Sequence, residues 1–515
     1  MVVGAGLGGL AAAVRLAAAG ADVTLLEREV VPGGRAGRIW KDGYAFDTGP
    51  TVLTMPGLLE DLFAVVGERL ADHLVLERLD PAYRAVFHDG SVLAVRADLD
   101  ALAEEVRDVC GPDEAGRLRR LVAHLHALYE AEFADFIDRN FDSPLDLVRR
   151  PAAVARLVRL GGFRRMHGLV TSFLKDWRLI RLFTFQAMYA GMSPFEALGI
   201  YAVIPYMDMV AGVFFPRGGI HAVSQALADL AVRAGVGLRL GEEVETVEVA
   251  GGRAVAVRTG SGERIEADVV VLNPDLPVAY RDLLPPGAIP RSVRRLRYSP
   301  SCVVVHLGLD RALDSAAHHN IHFAAGYEPS FTDLLAGRLQ RDPSWFLTVP
   351  TRSDPGMAPP GGEVAFHLLP VPNLREGKCG WDGEREREAA VARMQAAGYG
   401  PVADATVVHQ TVTPQDWARM GLAAGTPFAA SHRFLQTGPF RPANLAPKVG
   451  GVVFVGSGTT PGVGVPMVLI SGRLAAERAL ALLAQGEGGR SAAAGGWGSE
   501  GEGGRSAAAG GWGQA

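Results

Sequence analysis

Apolar and polar positions divide the chain into segments of distinct period. Val2 and Val3, both β-branched, run into a Gly-rich turn. An Ala- and Leu-rich stretch over 10–19 follows and is closed by Gly20; a second apolar run, 22–26, ends on Glu27. That order predicts strand, helix, strand. Only Met1 precedes the first strand, so the strand is short or starts ahead of residue 1. Further along, 57–75 reads as a helix and 80–91 as a strand and hairpin with an Asp89-Gly90 turn. Over 98–140 apolar residues recur at three- and four-residue steps (Leu118, Leu121, Val122, Leu125, Leu128), the period of a helix with one buried face. Another helix is predicted at 221–234. Alternating runs at 237–240, 243–249, 254–259 and 264–266, with a Gly251-Gly252 turn, predict a β-rich unit. The continuous apolar run 268–273 predicts a strand buried on both faces, placed to rejoin the first sheet. Strands at 301–309 and 363–370 stand out in a Pro-rich, alternating 281–440. Residues 451–455 predict a strand, followed by a Gly-rich loop and a helix to about 483.

The first turn carries chemistry. Gly4, Gly6 and Gly9 form Gly-x-Gly-x-x-Gly between the first strand and helix. In such a turn the first glycine permits the sharp reversal, the second lets backbone approach a pyrophosphate, and the third lets helix and strand pack closely. Phosphates then sit on the positive helix end. Glu27 falls where an acid bonds the ribose hydroxyls, which disfavours a 2′-phosphate and so NADP. Beyond it, Gly33-Gly34-Arg35 reads either as a loop reaching the same pyrophosphate or as a Pro-Gly turn with a solvated arginine. Gly49-Pro50 reads as a backbone edge against a flat ring or as a plain turn. Gly456–Met467, a Gly-rich loop opening a helix, can present N–H groups to an anion or a flavin carbonyl.

Composition narrows the partners. The chain has 515 residues, which predicts two or three domains, and its net charge of −5 argues against a general nucleic-acid binder. Cys110, Cys302 and Cys379 are far apart, so neither a disulfide framework nor a zinc site is expected, in keeping with a reducing cytosol. His124 and His126 do not have the spacing of metal ligands on one helix face, and no metal site is predicted. No apolar window is long enough to span a bilayer, and the N-terminus lacks the basic start of a signal peptide. Against this background 149–183 is unusual. Arg149, Arg150, Arg156, Arg159, Arg164, Arg165, Lys175, Arg178 and Arg181 face one acid, Asp176, and interleave with apolar residues. This reads as an interfacial membrane segment, the alternative being a helix pair with a solvated basic face. The next stretch, 184–216, is dense in aromatics, Met and Pro: either core or the lining of a long apolar cavity. It holds Asp208, the single candidate for a catalytic acid or base; the alternative is a helix-end or surface acid. Residues 486–515 carry one Gly- and Ala-rich unit twice, a composition that cannot bury enough to fold.

Several motifs together resemble the bacterial-type phytoene desaturases, relatives of the flavin amine oxidases. They are Val3–Leu10, Gly33-Gly34-Arg35, Asp47-Thr48-Gly49-Pro50-Thr51, Asp80-Pro81-x-Tyr83-Arg84, Tyr201–Pro216, His318-His319-Asn320-Ile321 and Val455–Pro466. The resemblance implies an α/β fold: a Rossmann-like FAD-binding domain, discontinuous in sequence (1–75, 217–280 and 441–485). An α+β substrate domain (76–216 and 281–440) with a helical, membrane-associating part and a disordered tail (486–515) complete it. It implies FAD as cofactor. Gly4, Gly6, Leu7, Gly9, Glu27, Arg28, Gly34, Arg35 and Val244 fall to the ADP half, and Gly49, Pro50, Thr51, Gly456, Gly458, Val465, Pro466 and Met467 to the flavin half. It implies a C40 isoprenoid substrate, phytoene desaturated toward lycopene by hydride transfer to flavin. It also implies a cytoplasmic protein held peripherally on the inner face of the cell membrane. Ser457 stands where the family has Ala. The rivals are a desaturase or isomerase acting on another carotenoid, hydroxylated or C30, a flavin amine oxidase, and, as a non-enzyme, a prenyl carrier. Because a polyene spreads positive charge, a weak base suffices, and no single acid or base is expected to dominate.

Overall fold

The computed structural model describes residues 1–494. Four separated stretches of chain build one parallel sheet. Its strands, in spatial order, are Val452–Phe454, Val270–Leu272, Val2–Val3, Thr24–Glu27 and Gly237–Leu240. The run at 268–273 does rejoin the first sheet, and 237–240, expected in the β-rich unit, is instead its edge strand. Period-two alternation sends Val2, Leu25, Val271 and Val453 to one face, against helices Leu7–Ala18, His221–Arg233 and Val465–Ala494. Val3, Leu26, Val270, Leu272 and Phe454 go to the other face, against the antiparallel sheet Val244–Ala250, Arg253–Thr259, Arg264–Glu266 and the segment 276–296.

A second, seven-stranded sheet runs Thr406–Val412, Ser301–Leu309, Glu363–Val371, Trp345–Thr348, His319–His322, Tyr83–Val86, Val92–Val95. Its pairs are antiparallel except that Tyr83–Val86 lies parallel to His319–His322. Ser301–Leu309 is buried throughout, as its apolar run requires. Tyr44 ties this sheet to the first motif region by donating its hydroxyl to the Leu309 carbonyl at 2.9 Å.

Between sheet and solvent lies a helical layer. The expected helix 98–140 is two helices, Leu99–Cys110 and Pro112–Glu132, followed by a π turn Phe133–Ile137. Gly111, at φ +98°, and Pro112 divide it: the glycine takes a left-handed conformation and proline opens the next helix. The helix expected at 57–75 stops at Ala64 and is followed by a turn at Leu70–Asp72. The first helix starts at Leu7, inside the Gly motif. The last runs through Ala494, beyond the expected end near 483 and into the repeat; for 495–515 the expected disorder lies outside the described residues. Among the described residues no helix is long and apolar enough to cross a membrane, and no cluster could hold a metal.

Candidate functional site

The Gly-rich turn is held in one conformation from several sides. Gly4, at φ +97°, turns the chain, and its N–H donates to the Leu26 carbonyl at 2.7 Å. A Cβ on Gly9 would collide with the Gly4 carbonyl oxygen, so helix and strand approach as only glycine allows. The helix from Leu7 has no side-chain cap and no acid in its first turn, and its first amides are free of side-chain acceptors. Such an end suits an anion.

Glu27 ends the second strand, buried. Its Oε2 accepts from the Ala5 N–H at 2.6 Å and its Oε1 from the Glu29 N–H at 3.0 Å. The carboxylate is thus aimed along the turn, with lone pairs left for hydroxyl donors. Arg28 turns away, donating to the Met420 carbonyl at 2.9 Å. With Glu29, Glu243 and Met420 it lines a cleft of about 510 Å³ beside Val244, which opens the next antiparallel strand.

The second Gly pair packs on the first. Gly33 donates to the Ala5 carbonyl at 2.9 Å, and Gly33 pairs with Gly6 as a parallel bridge; Gly34 abuts Gly6. Arg35 crosses to the C-terminal loop: it bonds Ser457 Oγ and pairs with Asp275 Oδ1 at 3.4 Å. Burial lowers its pKa and Asp275 opposes that shift. The arginine is therefore not a solvated turn residue. Gly49 packs on the Arg35 carbonyl, too close for any Cβ, and Thr48 Oγ1 donates to the same oxygen at 3.2 Å. Pro50 and Thr51 continue that loop, half-buried.

From the other side, Gly456 donates to Ser471 Oγ at 3.0 Å, and a Cβ on Gly458 would meet Leu276. The helix begins at Val465-Pro466-Met467 with no acid in its first turn, and its first ladder bond is Val468 N–H to the Gly464 carbonyl at 2.9 Å. Two uncapped helix ends, a buried acid and a half-buried arginine fit the ribose, pyrophosphate and carbonyl groups of a flavin dinucleotide.

Sequence reasoning missed the residues that brace this cradle. Asn273 lies against Gly6, Gly8, Gly9 and Gly456, with its Nδ2 on the Val455 carbonyl at 3.3 Å. Arg441, buried, donates from Nε to the Thr459 carbonyl at 2.9 Å and from Nη2 to the Ser457 carbonyl at 2.6 Å; burial lowers its pKa to about 10. His432 packs against Gly462, with its Nδ1 on the Ala190 carbonyl at 3.1 Å and its pKa held well down by burial. Its ring meets Tyr201, which bonds Thr437 Oγ1. Glu132 is buried with Oε1 unpartnered, and burial raises its pKa well up.

The stretch 184–216 is buried among Phe183, Met192, Tyr201, Met207, Met209 and Phe215 in the largest core cluster. Asp208 lies there too, buried, accepting from Tyr83 Oη at 3.2 Å, and is not a surface acid. His124 is half-buried on the Leu160 carbonyl, while His126 is exposed, on the Tyr206 hydroxyl and beside Glu130.

The basic stretch is less unopposed than its own sequence suggests. Arg149 pairs with Asp146, Arg150 with Asp135 and Arg156 with Glu130, all from outside the stretch, and Arg178 with Asp176. Arg165 and Arg181 bond backbone carbonyls, while Arg159 has no ion pair among the described residues. Beside these arginines Leu145 (70 % exposed) and Val148 (74 %) point outward, and the segment 434–440, which brings Phe434 (51 %) and Leu435 (70 %), packs against 144–147.

The fold and sequence have known relatives. The family model for flavin containing amine oxidoreductase matches residues 7–480. A phytoene dehydrogenase of Streptomyces griseus is 51% identical over 483 residues, covering 93% of this chain and 94% of that one. A zeta-carotene-forming phytoene desaturase of Myxococcus xanthus is 39% identical with 93% of each chain covered. A lycopene-forming phytoene desaturase of Paracoccus sp. is 32% identical, over 94% and 97%. Among solved structures, putrescine oxidase bound to putrescine superposes with TM-score 0.58 at 16% identity, over 94% and 98% of the two chains. Cyclohexylamine oxidase from Brevibacterium oxydans does so with TM-score 0.58 at 19%, over the same shares. At that identity the solved structures speak for the fold alone. The match from residue 7 to 480, together with relatives identical at up to half their positions, places the chain in the flavin-containing amine oxidoreductase family, with the phytoene dehydrogenases and desaturases.

Proposed function

We infer that this protein is an FAD-dependent carotenoid desaturase that converts phytoene toward lycopene. The observation that carries the reading is the 51% identity to a phytoene dehydrogenase over almost the whole chain. FAD supplies the two-electron oxidation, taking a hydride from the carbon chain. The protein binds and orients. Glu27 would accept from the ribose hydroxyls, the amides at Leu7–Gly9 and the Arg35 guanidinium would hold the pyrophosphate, and Gly49–Thr51 would edge the ring. The helix end at Val465-Pro466-Met467 would present its amides to a flavin carbonyl, a fixed electrostatic aid to charge developing there. Leu7, Gly34, Val244, Gly456 and Gly458 complete the cofactor contacts, while Arg28, turned to the Met420 carbonyl, lies outside them. The apolar side chains of 183–215 hold the substrate extended and exclude water. Residues 1–75, 217–280 and 441–485 form the cofactor domain in this reading, and 76–216 with 281–440 the substrate domain.

The substrate is membrane-dissolved, so the protein is assigned to the inner, cytoplasmic face of the membrane. The surface that carries Leu145, Val148, Phe434 and Leu435 among the arginines of 149–165 supports that assignment: apolar tips enter the headgroup boundary while guanidinium groups meet anionic lipid. The test is incubation of the FAD-loaded protein with phytoene in liposomes. A coloured polyene, read by visible absorption, is expected; phytoene left intact beside a competent electron acceptor would refute the reading.

A further inference from the structure

Asp208 sits on the buried side of helix Val203–Met209, with Val203, Met207 and Met209 buried beside it. Tyr83, from the seven-stranded sheet, donates to its Oδ2 at 3.2 Å, while Oδ1 accepts no hydrogen bond among the described residues. Tyr189, from the turn Phe185–Ala190, interacts with both Tyr83 and Asp208. Behind Tyr83 its ring stacks on His319 at 5.4 Å, His319 meets His318 at 4.4 Å, and His318 packs on Phe215 at 4.5 Å. Burial holds both histidines well below their usual range, so they are neutral at physiological pH. Among the described residues no cation pairs with Asp208, and the titratable groups facing it are these two tyrosines. Phe214, next to the last ring of this chain of contacts, donates to the Leu53 carbonyl at 2.8 Å, two residues past Thr51.

Against the expectation from the sequence that no single acid or base dominates, we propose that Asp208 is the proton acceptor of the desaturation, with Tyr83 and Tyr189 as the residues that position its carboxylate. The proposal rests on the reaction assigned above. One C–H bond breaks with its electron pair, which passes with that hydrogen to FAD, the two-electron oxidant. On the neighbouring carbon the C–H bond breaks, its electron pair becomes the new C=C bond, and the proton bonds to Asp208 Oδ1. Substrate loses two electrons and two hydrogens; the cofactor gains two electrons and one hydrogen, and the carboxylate the other as a proton. An isolated carboxylate buried among apolar side chains serves this step twice. It takes the proton, and until then it is the counter-charge to the cation on the polyene. Burial raises its pKa to about 7, with the Tyr83 hydrogen bond pulling the other way, so the group can both gain and release a proton near neutrality.

The experiment compares wild type, Asp208→Asn, Asp208→Glu and Tyr83→Phe by two readouts. The first is the infrared C=O stretch of protonated carboxyl groups in the protein without substrate, followed across pH. The second is anaerobic single-turnover bleaching of the flavin by phytoene in liposomes, with FAD content measured in parallel. In wild type a C=O band should titrate near pH 7 and the bleaching rate should rise with the same midpoint. Asp208→Asn should lose the band and fall about 10²–10⁴-fold to a pH-independent rate with FAD still bound. Asp208→Glu should recover part of the rate, and Tyr83→Phe should move both midpoints up. A bleaching rate and pH profile unchanged in Asp208→Asn, or a wild-type carboxyl band whose midpoint differs from that of the bleaching rate, would overturn the proposal. A wild-type flavin that phytoene does not bleach would overturn the assigned reaction, and the proposal with it.

Discussion

Glu27 is used twice. It closes the βαβ turn by accepting from Ala5 and Glu29, and in the proposed complex it accepts from the ribose. Glu27→Ala should weaken FAD about 10–100-fold, since a charge-assisted bond is worth ~1.5–3 kcal/mol. It should also lower stability without cofactor, because the Ala5 N–H is left unpaired. Flavin fluorescence titration and melting of the apoprotein separate the two, and unchanged FAD affinity would remove Glu27 from the site. Asp208 predicts a pH effect of definite sign. Its folded pKa, about 7, lies above the unfolded value near 4, so the native state binds the extra proton between them. Stability contributed by the neutral acid is fully present below about pH 4 and is lost as pH rises through about 7. Asp208→Asn should therefore melt higher than wild type at pH 8, by a margin of order 3–4 kcal/mol, and show no such gain near pH 4. An equal shift at both pH values would mean that Asp208 is ionised in the fold throughout.

At the scale of elements, the C-terminal loop is held by groups from elsewhere. Arg441 fixes the Ser457 and Thr459 carbonyls, Asn273 the Val455 carbonyl, and Ser471 the Gly456 amide. Arg441→Ala orphans two buried carbonyls at about 1–3 kcal/mol each, so the holoprotein should melt several degrees lower and release FAD more readily. A melting curve and flavin content equal to wild type would show that the loop needs no such brace. The same elements explain what was legible beforehand. Gly4, Gly6, Gly9 and Glu27 are read from one short segment because turn, helix end and acid must be close in sequence. The run 268–273 declared itself by being apolar throughout. Asn273, Asp275, His432 and Arg441 carry no local pattern; each matters only because folding brings it against a distant glycine or carbonyl. Glu132 was hidden inside an ordinary amphipathic helix. The arginines of 149–183 looked unopposed because three of their partners, Glu130, Asp135 and Asp146, precede the stretch.

Over the whole molecule, membrane contact is the property that several segments must share. If 144–165 and 434–435 form one surface, Arg156, Arg159, Arg164 and Arg165 together should contribute roughly 1 kcal/mol each on anionic lipid. Replacing all four by Glu should abolish co-sedimentation with anionic vesicles while leaving FAD content intact, and wild-type binding should weaken with salt. Binding that survives the quadruple change would move the membrane surface elsewhere. The composite sheet has a further consequence, for biosynthesis. Val2–Val3 is synthesised well before the strand Val452–Phe454 and the loop beyond it, with which it shares a sheet. At ~5–20 residues per second the N-terminal turn waits roughly 20–90 s for the strand that completes its sheet. The nascent chain therefore carries its nucleotide turn half-built until the strand Val452–Phe454 has been made, and flavin is captured only after that point, which makes cofactor supply and chaperone shelter at that moment the determinants of how much active protein a cell obtains.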